Sequence, residues 1–259
     1  MFPRSSLVLL LALACAGCSS GSVAPPVAGT LEAPQAHAMR LPASLTVGGF
    51  NVKRGGLESL QGTSETNLKK ALAEAFHGAK FHFTNALTAR FLSKIDVFVA
   101  GVAYADTTEI APLTSKEQAS LLAFVKGGGS ILIFADNDNQ FQPASNSLVG
   151  PFGLHATGSL NGPEVADFLN SPNPIMQGPF GTAAEIDTNY PGWFDQLGAA
   201  TELATLAANG MPALAYFPAG GFSSGSGAAV FFSDSDVMID GERTTNDQIA
   251  ILNALALAP

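Results

Sequence analysis

The sequence predicts an α/β domain in which a mostly parallel sheet carries helices on both faces. Two observations lead there. From residue 45 onward, strand-like and helix-like segments alternate, and the central strands read as continuous apolar runs. Alternating strands and helices close most simply as a parallel sheet. Strands buried on both faces lose the polar half of their pattern. The composition agrees: 47% of the 259 residues are apolar and only 13% are charged, enough for a sizeable core and too apolar for a disordered chain.

The elements follow in order. Residues 45–52 (LTVGGFNV) form the first strand. A helix over 63–78 places Leu68, Leu72, Ala75 and Phe76 on one face, with Lys69, Lys70 and Glu74 elsewhere. Residues 80–85 make a short strand, and 95–101 (IDVFVAG) a strand buried on both faces. Thr114 and Glu117 have capping-box spacing and open a helix carrying Leu121, Leu122 and Val125. Gly127, Gly128 and Gly129 stop that helix; they precede a strand and open no helix, so they are not a phosphate cradle. Residues 130–135 (SILIFA) are the next buried strand. Residues 140–210, rich in Gly, Pro and Asn, read as long connections with short strands and one or two short helices. Two further strands occupy 212–217 and 228–233, with a loop over 218–227 between them. Thr245 and Gln248 have capping-box spacing and begin a last helix that runs through Ala258.

Ahead of this domain, residues 1–17 read as a signal peptide: Arg4 is a short positive start, and residues 7–14 are an apolar run too short to span a bilayer. Ala16, Gly17 and Cys18 resemble the lipobox of bacterial lipoproteins, although Cys15 stands where a leucine is usual. The resemblance implies cleavage before Cys18 and lipid on its thiol. Ser19, where an aspartate would retain the protein at the inner membrane, implies the outer membrane of a diderm bacterium. Residues 18–43, rich in Ser, Gly, Pro and Ala, are a tether, and 44–259 are the folded domain. Cys15 and Cys18 are the only cysteines, so the mature domain has neither a disulfide nor a free thiol.

Several segments of the domain resemble the class I glutamine-amidotransferase-like superfamily. They are Ile95-Asp96-Val97-Phe98-Val99, Leu113-Thr114 with Glu117, and the run from Phe124 through Gly127-Gly128-Gly129 to Phe134. The closing segments Val230-Phe231-Phe232-Ser233-Asp234-Ser235-Asp236-Val237, Asn246-Asp247-Gln248 and Asn253-Ala254-Leu255 fit as well, as does Pro174-Ile175-Met176-Gln177-Gly178. The nearest branch is the non-catalytic one of gliding-motility and intraflagellar-transport proteins. The resemblance implies a flavodoxin-like three-layer sandwich. Active members carry a cysteine nucleophile on the turn after the strand that matches residues 131–134, completed by a histidine and a carboxylate. Here that turn reads Ala135-Asp136-Asn137. Attack on an amide by a thiolate requires a thiolate, so glutaminase chemistry is not expected.

The candidate site residues are carboxylates and amides. Asp136 and Asp138 follow one buried strand; Asp234 and Asp236 follow another, with Asp240 and Glu242 close behind. Loops at the C-terminal ends of parallel strands open on the ligand crevice. Asp136, Asp138, Asp234 and Asp236 would there hold Ca²⁺ or Mg²⁺, or accept hydrogen bonds from a glycan. Asn246, at the start of the last helix, joins the set. The plain alternative is that these residues cap helices and shape turns. No cofactor beyond such an ion is implied.

Other motifs are weaker. Gly221-Phe222-Ser223-Ser224-Gly225 matches G-x-S-x-G but precedes a strand, where a nucleophile elbow needs a helix. His37, His77, His82 and His155 show no zinc spacing. Trp193 either lines a pocket or plugs the edge of the core. A net charge of −9 repels nucleic acid. Three readings of function remain: a lipid-anchored envelope domain that binds a ligand or protein partner without catalysis, a carboxylate- or metal-dependent hydrolase, and a structural subunit of an envelope or transport assembly.

Overall fold

The computed structural model describes residues 44–56, 59–101, 111–136, 141–169 and 173–258. The signal segment, Cys18, the tether and Asp138 lie outside the described residues. The chain folds as β1 (Thr46–Phe50), α1 (Val52–Gly55), α2 (Thr66–Ala75), β2 (Lys80–Thr84), α3 (Ala89–Leu92), β3 (Val97–Gly101), α4 (Ser115–Lys126), β4 (Ser130–Phe134) and α5 (Gln142–Val149). It continues through β5 (His155–Thr157), β6 (Pro163–Phe168), β7 (Gln177–Gly178), β8 (Gly181–Thr182), β9 (Glu185–Asn189), β10 (Trp193–Gln196), β11 (Thr201–Leu206), β12 (Pro212–Phe217), β13 (Ala229–Phe232) and α6 (Thr245–Leu255).

Nine strands form one sheet in the order β2-β1-β3-β4-β13-β12-β11-β6-β9. The strands from β2 to β13 are parallel. From β13 to β9 every pairing is antiparallel. The α/β class and the parallel core agree with the sequence, but the sheet is mixed, because part of the segment read as loose connections supplies β6, β9 and β11. Those strands escaped notice for a physical reason. One face of β9 is partly exposed, so Glu185, Asp187 and Asn189 alternate with the buried Ile186 and Thr188 instead of forming an apolar run.

The period-2 alternation of the central strands divides the core in two. Val97, Val99, Leu132, Phe134, Val230 and Phe232 pack with Leu68 and Leu72 of α2 and with Ala250 and Ile251 of α6. Phe98, Ala100, Ile131, Ile133, Ala229 and Phe231 pack with Leu92 of α3, Leu121 and Val125 of α4, and Leu148 of α5. Helices therefore cover both faces. Phe134 and Phe232 stack across neighbouring strands with centroids 4.9 Å apart.

The caps explain where the helices begin and end. Thr114 and Glu117 make the expected reciprocal capping box on α4. On α6 the box lies one residue earlier than the spacing suggested, between Thr244 and Asp247. The Asp247 carboxylate accepts from the Thr244 backbone N–H at 2.8 Å, a reach that Gln248 was expected to make. After α4, Gly128 turns the chain at φ 101°, and a Cβ on Gly129 would lie 2.1 Å from the Phe124 ring. Two segments of the family resemblance meet at Asn253: its amide donates to the Ile175 and Gly181 carbonyls, its Oδ1 accepts from the Phe180 N–H, and a Cβ on Gly178 would collide with it. Among the described residues no helix is long and apolar enough to cross a membrane.

Candidate functional site

β4 and β13 are parallel neighbours, with Phe134 opposite Phe232. The residues that follow them therefore leave the sheet at the same edge. Asp136 and Asp234-Ser235-Asp236 meet there, and the Ser235 hydroxyl donates to Asp136 Oδ2 at 3.1 Å. The Asp136 N–H donates to Ser145 Oγ of α5 at 3.0 Å, which fixes the turn.

The aspartates differ in their surroundings. Asp234 is only 2% exposed. Its Oδ2 accepts from the Asn189 N–H of β9 at 2.7 Å and its Oδ1 from the Asp236 N–H at 3.0 Å. Burial pushes its carboxyl well above the usual range, aided by the charge of Asp236 and, more weakly, of Asp136; the two N–H donors oppose this. Asp236 is pushed up to about 6, first by burial and then by the neighbouring Glu242, against a hydrogen bond from the Asn189 side chain.

Asp236 and Glu242 lie on the wall of a cavity of about 370 Å³, together with Glu164 of β6 and Asp187 of β9. Thr188 and Asn189 add polar groups, and Pro163, Val165 and Ala207 supply apolar surface. Asp187 is held in place by its backbone, whose N–H donates to Asp247 Oδ1 at 2.9 Å. Its carboxylate accepts from the Thr244 hydroxyl at 2.8 Å. Asp247, with its own carboxyl pushed up to about 6 mainly by burial, joins α6 to the cavity wall. Glu164, Asp187, Thr188 and Asn189 were not singled out by sequence reasoning. The signal that would have found Asp187, Thr188 and Asn189 is the period-2 pattern of residues 185–189; Glu164 stands on β6, outside it.

The other candidates fall elsewhere. Asn246 Oδ1 accepts from the Ala184 N–H at 3.2 Å, and Asn246 does not line the cavity. Asp240 caps α2, accepting from the N–H groups of Asn67 and Leu68. Asp138 lies outside the described residues. Among the described residues, no group of three His, Cys, Asp or Glu side chains is arranged to hold a metal ion. His155 makes a 2.7 Å pair with Asp195 on the β5–β10 ribbon and lines no part of the cavity. Trp193 packs on the core, its ring so close to Gly158 that a Cβ there would lie 2.2 Å away. The G-x-S-x-G segment is a loop closed by Gly220 and Ser226, with no helix after it.

A second polar cluster ties the opposite side of the same edge. Arg54, just after β1, pairs with Glu117, which also accepts from the N–H groups of Leu87 and Thr114. Burial raises the Glu117 carboxyl, but Arg54 and these donors outweigh it and hold the group down at about 2.

No protein-family model matches the chain, and no curated protein does. Solved structures match in fold. The N-terminal domain of mmIFT52 superposes with a TM-score of 0.56 at 12% identity, over 80% of this chain and 93% of that one. A ThuA-like protein from Bacteroides uniformis gives 0.54 at 12% identity, over 83% and 91%. A glutamine amidotransferase from Thermotoga maritima gives 0.51 at 12% identity, over 83% and 97%. The chain thus has a class I amidotransferase-like, ThuA-like fold. At such identities the likeness concerns the fold alone.

Proposed function

We propose that this chain is a lipoprotein of the bacterial cell envelope, anchored through Cys18, whose amidotransferase-like domain binds a ligand or protein partner and has no glutaminase activity. The observation that carries this reading is the turn after β4. Active amidotransferases place their cysteine there; this chain has Asp136, and its sequence contains no cysteine after Cys18. Without a thiol no thioester can form, and Asp136 is engaged in fixing the turn through Ser145 and Ser235. The binding site is the acidic cavity at the same edge. It is concave, has mixed polar and apolar walls, and draws its residues from several elements of the sheet and the following loops.

Two measurements test this. Cys18→Ser should move the folded protein from the membrane to the soluble fraction; variant protein that stays with washed membranes refutes the anchor. The purified chain should release no ammonia from glutamine. Ammonia release above a heat-inactivated control refutes the non-catalytic reading.

A further inference from the structure

We propose that Asn161 is a site of self-modification, converted to aspartate and isoaspartate by attack of the Gly162 backbone nitrogen on its side-chain amide. This chemistry does not depend on the reading of the acidic cavity as a binding site. The chain contains two Asn-Gly pairs, Asn161-Gly162 and Asn209-Gly210. Glycine has no Cβ to shield its nitrogen or to restrict its backbone, so such a pair is where ring closure meets least steric resistance. Sequence alone treats the two pairs alike. Both asparagines are exposed. Both glycines have positive φ, 92° at Gly162 and 69° at Gly210, with open space where a Cβ would stand.

Hydrogen bonding separates them. In the β11–β12 turn, the Gly210 N–H donates to the Leu206 carbonyl at 2.8 Å, and Asn209 Oδ1 accepts from the Met211 N–H at 2.9 Å. Nucleophile and electrophile are both held there. In the β5–β6 turn neither is. The β6 ladder begins at Pro163, and among the described residues neither the Gly162 N–H nor the Asn161 side chain has a hydrogen bond. The turn is anchored on either side of the pair: the Leu160 N–H donates to the Pro191 carbonyl, and the Gly162 carbonyl accepts from the Tyr190 N–H, each at 2.9 Å.

The reaction needs no partner but water. The Gly162 nitrogen bonds to Asn161 Cγ, the Cγ–Nδ2 bond breaks, and Nδ2 leaves as ammonia with the displaced N–H proton. A five-membered imide remains. Water then opens it, its hydroxyl going to one carbonyl carbon and its proton to the Gly162 nitrogen. Opening at Cγ gives aspartate; opening at the main-chain carbonyl gives isoaspartate. Either product adds a carboxylate two residues ahead of Pro163 of the cavity wall, and isoaspartate also lengthens the main chain there by one carbon.

Peptide mapping by mass spectrometry of the full chain in detergent, kept warm in mildly alkaline buffer, tests the proposal. In the folded chain, Asn161 should convert to a mixture of aspartate and isoaspartate about tenfold faster than Asn209, the factor set by the hydrogen bonds that hold the second pair. In urea that protection should vanish and the two rates should come together. Asn161→Gln, an exposed exchange that keeps the fold, should leave the position unconverted, because its ring would have six members and closes slowly. Conversion of Asn161 no faster than that of Asn209 in the folded chain overturns the proposal. So does the same disparity in urea, which would trace it to local sequence instead of structure. Aspartate without isoaspartate means that water attacks the amide directly, and conversion of Gln at this position at the wild-type rate says the same; either result removes Gly162 from the reaction.

Discussion

In the parallel half of the sheet, β3, β4 and β13 are buried along their whole length between two helical layers. In the antiparallel half, two N–H groups on the outer edge of the last strand, β9, are taken up by side chains, Asp187 by Asp247 and Asn189 by Asp234, and the Ala184 N–H just before the strand is taken up by Asn246. One half rests on apolar contact and the other on polar side chains drawn from the end of β13 and the start of α6. Burial of apolar surface is insensitive to pH and direction, whereas a buried carboxylate works only with its donors in place. The stable frame and the adjustable wall of the cavity are thereby assigned to different halves.

The comparison can be broken at several points. The largest effect is expected from Phe134→Ala, which removes a fully buried ring stacked on Phe232 and should cost about 3–5 kcal/mol in urea unfolding. A loss below 1 kcal/mol would mean that the parallel core is not the frame. Asp234→Ala leaves the Asn189 and Asp236 N–H groups without their acceptor and should cost about 2–3 kcal/mol. Hydrogen exchange should then speed up in β9 while β3 and β4 stay protected; equal acceleration throughout would refute the division.

The polar clusters at the two ends of the sheet's order, Asp236 with Asp247 and Glu117 with Arg54, should answer pH in opposite senses. The carboxyls of Asp236 and Asp247 are raised to about 6 in the folded chain. A raised group favours the fold when protonated, so its contribution is complete below the unfolded value and is lost as pH rises through about 6. For the well-buried Asp247 this amounts to about 3 kcal/mol. Glu117, lowered to about 2, stabilises above its unfolded value and loses that contribution as pH falls towards 2. Thermal melts of the wild type and of Asp247→Asn across this range check the sign: the variant should lose part of the decline between about pH 4 and pH 6 and keep the acid limb. The smallest effect is expected from Asn246→Ala, which removes one partly exposed acceptor and should cost about 0.5–1 kcal/mol without altering binding.

The parallel half was legible because burial on both faces writes itself into sequence as runs such as Val97-Phe98-Val99-Ala100 and Ile131-Leu132-Ile133-Phe134. The shared edge was legible too, since Asp136 and Asp234 follow two such runs. The wall of the cavity was not. Glu164 and Asp187 sit on half-exposed strands in a stretch dense with Gly, Pro and Asn, where polar alternation looks like loop. Nor does sequence separate the roles of neighbouring aspartates. Asp234 and Asp240 spend their oxygens on backbone N–H groups, while Asp236 reaches the cavity, and only the fold decides which does which.

The closure of β9 bears on behaviour in a crowd. An uncovered strand edge is a template on which another chain can add a strand. Along this edge and just before it, Asn246, Asp247 and Asp234 occupy three backbone donors that such a newcomer would use. A protein confined to a surface, as the proposed anchor would confine this one, meets its own copies far more often than one in free solution. There, a side chain that stops the sheet from growing would keep neighbours separate as effectively as distance does.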